Sequence, residues 1–318
     1  MTQPEIELDG LEALRARIGV KTIMGWIEGT ARWVDPKTFR LLPVWYPEHA
    51  RGAPFYKENW TTEQMNTSKI SKLTVHKREG NRYASLALSA ALGLKKQDRP
   101  NWSCCHIWGV DDAKFQKENK VVRAHCFYSC VGNMILLPTP LKAFTDSMPE
   151  VKAMLRLCAR NLYDWHCDHE SLAGEVRDWE NFTDWDNYPE SWPRAPDQKQ
   201  PQGVVALNGS IQAKAATRLN TIRHDLLHAG PRYPRDEVRA AMNYWECKLE
   251  AYSNTVDRPP LTNDLSRFAA TADDITPWGS LIETVDLTTA EQRATNAKHD
   301  AMMEQIKAGL RASTPTKT

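Results

Sequence analysis

A histidine, an amide and a carboxylate stand within the stretch from Asn101 to Trp165. His106 sits beside Cys105, Asn133 precedes the apolar run Met134-Ile135-Leu136-Leu137, and Asp146 follows it. A neutral imidazole can take a proton from water, and a carboxylate can hold a divalent cation that stabilises charge on a leaving oxygen. With steering of an anionic backbone, these are the minimum equipment for metal-assisted hydrolysis of a phosphodiester. The ordinary pKa of histidine leaves His106 neutral, as a base must be, at working pH.

Such groups need rigid elements to hold them. Ser103 to Trp108 and Cys126 to Leu137, rich in β-branched and aromatic residues, predict two strands. Successive strand residues point to opposite faces, so Cys105 and His106 can share a site only across a bend. Thr139 as N-cap, with Pro140 at the first helical position, predicts a helix to about Asp146. Ser147-Met148-Pro149-Glu150 reads as a capping box opening a second helix, with Val151, Met154, Leu155, Cys158 and Leu162 on one face and an end near Trp165.

Around this centre, Leu8 to Ile18 predicts a short amphipathic helix, and Val20 to Thr67 reads as loops and short strands. Asn81 to Leu94, Lys214 to His228, Glu237 to Tyr252 and Thr289 to Leu310 carry helical spacing, and the Ser/Thr/Pro/Lys tail reads as disordered. His166 to Gln202 is acidic, Trp-studded and closes in Pro-rich text, which predicts a long connection. Three regions follow: 1–99, basic; 100–165, the candidate core; and 166–318, an acidic connection and helices.

The 318 residues suffice for a sizeable core, and the formal net charge of +1 does not announce a nucleic-acid binder. The distribution is more telling. Between Lys69 and Arg99 there are eight Lys/Arg against Glu79 and Asp98; between Asp164 and Asp197 there are ten Asp/Glu against Arg177 and Arg194. Lys69, Lys72, Lys77, Arg78 and Arg82 could lie along a phosphate backbone, or be ordinary exposed cations. Seven unevenly spaced cysteines, with no apolar signal ahead of them, predict free thiols in a reducing cytoplasm. No apolar run is long enough to span a membrane.

Cys105-His106-Ile107, Asn133 with its apolar run, and the helix that follows resemble the HNH (ββα-metal) endonucleases over about a fifth of the chain. The resemblance implies an α+β fold: a central ββα-metal unit, a loop-rich basic N-terminal region and a mainly helical C-terminal region. It implies that His106 is the general base, that Asn133 braces the loop carrying it, and that the helix ligands fall on Lys142 and Asp146. The sequence departs from the family at two places. Cys105 stands where the family has Asp or His as a metal ligand, and a thiolate suits zinc better than magnesium. A protonated Lys142 cannot ligate a metal; it would meet a phosphate instead. The resemblance further implies a divalent cofactor (Mg²⁺ or Mn²⁺, with Zn²⁺ or Ni²⁺ as alternatives), DNA as substrate, and a role in restriction or phage defence. The remaining partners would be a second copy of the chain or another protein of a defence system.

Each residue has a plainer role as well: His106 as a satisfied core histidine, Asn133 as a turn cap, Asp146 as a surface carboxylate. Other groups compete for metal. Cys104, Cys105, His125, Cys126 and Cys130 could hold zinc; His224 and His228 share one helix face; His166 and His169 lie among carboxylates; Asp111 and Asp112 follow the first strand. The rival function is a non-catalytic nucleic-acid-binding protein on a decayed, zinc-stabilised HNH scaffold.

Overall fold

The computed structural model describes residues 9–68, 70–109, 120–172, 180–196 and 198–247. All lie within one compact unit. The chain enters through α1 (Gly10–Arg15), whose first turn is capped by the Asp9 carboxylate. Next comes α2 (Val20–Thr30), where composition predicts loops. Ile23, Met24 and Ile27 recur at helical spacing and are fully buried, which outweighs Gly25 and Gly29, each costing about 1 kcal/mol against alanine. β1 (Trp33–Val34) leads to α3 (Pro36–Leu41), capped by Asp35 with Pro36 at its start. The N-terminal region is therefore more helical than its Pro, Gly and aromatic content predicts.

Two small antiparallel ribbons follow, β2 (Tyr56–Lys57) with β3 (Thr62–Glu63) and β4 (Met65–Thr67) with β5 (Thr74–His76). After α4 (Arg82–Ala91), the helix expected from Asn81, comes β6 (Trp102–His106). The next described elements are a 3-10 turn (Val121–Arg123), α5 (His125–Tyr128), a second 3-10 turn (Val131–Asn133) and β7 (Met134–Pro138). The second strand thus begins at Met134, not Cys126. The β-forming residues before it turn because tertiary contacts prevail over propensity. Trp245 Nε1 donates to the Cys126 carbonyl at 2.9 Å, and the Phe127 ring packs edge-on against Tyr244.

A 3-10 turn (Thr139–Leu141) runs into α6 (Lys142–Ser147), then α7 (Pro149–Tyr163). Neither expected cap forms. The Thr139 hydroxyl pairs with Ser103 at 3.0 Å, and the Ser147 hydroxyl donates to the Ala143 carbonyl at 2.7 Å. Glu150 pairs with Arg15 of α1. The expected apolar face of α7 is buried in full. The acidic connection ends in β8 (Val204–Val205), followed by α8 (Gly209–His228) and α9 (Arg235–Tyr244). α8 starts five residues before the expected Lys214, at the Asn208 cap, whose side chain accepts from the Ile211 amide at 3.0 Å. The expected helix over Thr289–Leu310 and the tail lie outside the described residues.

Helix and strand mix in an α+β arrangement around the β6–β7 ribbon. Its register pairs Cys105 with Ile135 and His106 with Met134. α4 packs on both strands, α6 on β6, and α2 on β7 and α7. Arg32 bridges Leu136, and β1 pairs in parallel with β8. Covered on all sides, Met134 to Leu137 read as a continuous apolar run because all four are buried.

Candidate active site

The site begins where β6 ends. His106 closes the strand, and the Ile107 amide donates to the Asn133 carbonyl at 2.9 Å, joining the two ends of the connection. The Asn133 side chain, fully buried, accepts from the Trp108 amide at 2.7 Å and donates to the Trp108 and Phe127 carbonyls at 3.3 and 3.2 Å. One amide thereby holds the backbone that leaves β6 and the turn that enters β7. Gly132 is required beside it: a Cβ there would come within 2.7 Å of the Phe39 ring.

His106 is buried, and its Nε2 lies 2.9 Å from the Tyr128 carbonyl. A carbonyl only accepts, so Nε2 carries the proton and Nδ1 carries the lone pair of a base. Burial holds the imidazole pKa down to about 4. The Tyr128 bond and Asp146 work against that shift, while the charges of Arg51 and Lys152 add to it. The ring is neutral at physiological pH. Tyr128 is itself anchored: its hydroxyl donates to buried Glu79 at 2.7 Å, and Glu79 also accepts from the Arg82 amide that opens α4, at 2.6 Å. On the other side, the buried Lys152 ammonium of α7 donates to the His106 carbonyl at 3.0 Å.

Cys105 is buried, and burial, with the nearby Asp146 charge, pushes its thiol up to about 12. It is a protonated thiol at neutral pH. Asp146 and Lys142 face each other one turn apart on α6, Nζ to Oδ2 at 2.5 Å, and the other Asp146 oxygen is 3.4 Å from the Thr145 hydroxyl. A hard divalent cation takes several oxygen ligands, and zinc takes thiolates or imidazoles. A protonated thiol and a carboxylate already paired with an ammonium offer neither set. Among the described residues no three His, Cys, Asp or Glu side chains gather as a metal site. The residues described around Cys105 and Asp146 therefore do not compose a divalent-cation site. Asp111 and Asp112 lie outside the described residues.

The remaining candidates disperse. His125 is turned to the Pro47 carbonyl, with Nδ1 at 2.6 Å, while Cys104 and Cys130 are buried thiols pushed up in pKa by burial. His224 and His228 share the exposed side of α8, rings 4.7 Å apart, with His224 beside Asp225. His169 pairs with Ser171 at 2.8 Å, and Asp168 accepts from Tyr244 at 2.5 Å. Lys72 lies in the turn of the β4–β5 hairpin, and Lys69 outside the described residues. Lys77 stands 5.0 Å over the Phe55 ring, Arg78 donates to the Gly52 carbonyl at 2.9 Å, and Arg82 lies near the Phe55 and Tyr83 rings.

Tyr128, Glu79, Arg51 and Lys152 belong to the surroundings of His106 and escape the sequence reading. Tyr128 acts through a backbone carbonyl, which any residue type carries. Lys152 interrupts the apolar side of a helix with a charge, and that is the one signal that could have marked it. No family model, no curated protein and no solved structure matches the chain.

Proposed function

We propose that this chain hydrolyses phosphodiester bonds in DNA, with His106 Nδ1 as the base that takes the proton of an attacking water. One observation carries the reading. His106 ends a strand with its tautomer fixed by the Tyr128 carbonyl, while Asn133 at the start of the partner strand bonds both ways to the backbone just beyond it. A base held by one carbonyl, on a loop braced by one buried amide, is fixed in orientation for proton transfer. A nearby substrate phosphate would raise the imidazole pKa from about 4 toward the range where general bases work best. Lys142, partly exposed beside Asp146, would meet the backbone charge. Mg²⁺ or Mn²⁺ as cofactor, and restriction or defence as the setting, are what the resemblance to HNH nucleases suggests.

The test is cleavage of supercoiled plasmid with Mg²⁺, Mn²⁺, Ni²⁺, Zn²⁺ or EDTA, wild type beside His106→Ala. Nicked or linear product from the wild type alone supports the reading. Product from both, or from neither, removes His106 as the base. The Lys142–Asp146 pair and the protonated Cys105 favour a second reading, a nucleic-acid-binding protein on a scaffold that has lost its metal. Duplex binding without cleavage under any of these conditions would establish that one instead.

A further inference from the structure

The β4–β5 hairpin is an odd piece of the molecule. Every residue of both strands is exposed, so the ribbon has no buried face. An isolated two-stranded ribbon is marginal in water. Yet Ile70 is 83% exposed, Leu73 67% and Val75 57%, apolar surface grouped at the turn and the strand leaving it, while Met65, paired with His76, lies on the other face. Grouped exposure of that kind marks a surface that meets something.

Charge says what kind of partner. From Gln64 to Arg78 the chain carries Lys69, Lys72, Lys77 and Arg78 and no acidic residue. The root cations are positioned: Lys77 lies over the Phe55 ring, and Arg78 is tied to the Gly52 carbonyl. The root also leads to the candidate base, because Glu79, the next residue, accepts from the hydroxyl of Tyr128, whose carbonyl fixes His106. At about 3.3 Å per residue, the ribbon carries its turn roughly 20 Å from that root. A regular polyanion with an apolar interior between its charged edges matches this surface, and aliphatic side chains are common wedges in minor-groove binders.

We propose that the β4–β5 hairpin is a duplex-gripping arm: its basic root lies along phosphates of DNA, and the Ile70–Leu73 turn wedges into the minor groove and kinks the duplex there. The proposal takes DNA as the substrate from the functional reading above, but it does not depend on cleavage.

The experiment measures binding of the full chain to an end-labelled duplex in EDTA, reading affinity by anisotropy against salt and bending by end-to-end energy transfer. Wild type should bind and raise transfer. Ile70→Ser with Leu73→Ser should weaken binding by at least about tenfold and abolish the rise in transfer, leaving the salt dependence unchanged. Lys72→Ala with Lys77→Ala and Arg78→Ala should lower the log–log salt slope by roughly 3. The positions changed in the apolar variant are exposed, and an unchanged melting curve verifies that its fold is intact. Absence of duplex binding by the wild type overturns the proposal. So does an apolar variant that binds and bends as the wild type does. Loss of self-association in that variant, with duplex binding untouched, would assign the surface to a second copy instead. A chain that kinks DNA through the arm but never cuts it leaves the arm standing and removes the nuclease; a chain whose cutting and binding ignore the arm does the reverse.

Discussion

Replacing Asn133 by alanine asks whether one side chain holds the two ends of the β6–β7 connection together. The amide is 0% exposed and makes three bonds: from the Trp108 amide at 2.7 Å, to the Trp108 carbonyl at 3.3 Å and to the Phe127 carbonyl at 3.2 Å. Each bond contributes about 1 kcal/mol net, and a buried N–H left without a partner costs about 1–3 kcal/mol more. The sum is about 4–6 kcal/mol, a large share of the roughly 5–15 kcal/mol that stabilises a domain. Asn133→Asp sharpens the test. It keeps the acceptor for Trp108 but turns an anionic oxygen toward two carbonyls, so at neutral pH it should be worse than alanine. Acidification that protonates the carboxyl should restore a donor and recover part of the loss. Urea denaturation followed by tryptophan fluorescence gives the stability, and amide exchange at Trp108 gives the local opening. A loss below about 1 kcal/mol for the alanine variant, or an aspartate variant as stable as wild type at neutral pH, would refute the brace.

Two further outcomes follow from the buried charges. The His106 imidazole titrates near 4 when folded against 6.5 ordinarily, so on acidification the unfolded chain takes up the proton first. Stability should be intact above pH 6.5 and fall by up to about 3 kcal/mol as the pH drops toward 4, and His106→Gln should flatten that stretch of a denaturation series; equal slopes would count against it. Arg218 of α8 ties its guanidinium to the Trp45 carbonyl and to Glu48, with only 12% and 6% of the two side chains exposed. Arg218→Met should cost about 3–5 kcal/mol by stranding a buried carboxylate, and adding Glu48→Gln should recover much of it; a double variant no better than the single would sink this account.

The helices that bury one stripe of side chains were legible. Val151, Met154, Leu155, Cys158 and Leu162 mark α7, while Ala215, Ile222 and Leu226 mark α8, because helical periodicity survives whatever packs against it. The two central strands were legible in part: Ser103 to Trp108 covers most of β6, and the end of the expected Cys126–Leu137 strand is β7. What failed was decided elsewhere in the chain. α2 hides behind Gly25 and Gly29 and stands on burial that no local pattern reveals. Cys126 to Asn133 has strand composition but turns under contacts with Trp245 and Tyr244, more than a hundred residues away. At the site, the types and spacing of His106 and Asn133 were readable. The Lys142–Asp146 pairing and the protonation of Cys105 were not, because they depend on burial and on which neighbour faces which.

The parallel pairing of β1 with β8 has a consequence in time. Trp33 meets Val204 in that ribbon, and its ring packs edge-on against Trp192 at 5.6 Å. On the ribosome, Val205 follows His106 by 99 residues (205 − 106), which at about 5–20 residues per second is roughly 5–20 s of synthesis. Throughout that interval the strand bearing His106 exists while Trp33 still lacks its covering partner. The nascent chain therefore carries Trp33 ahead of the strand that pairs with it, with a large aromatic surface open to whatever else is in reach.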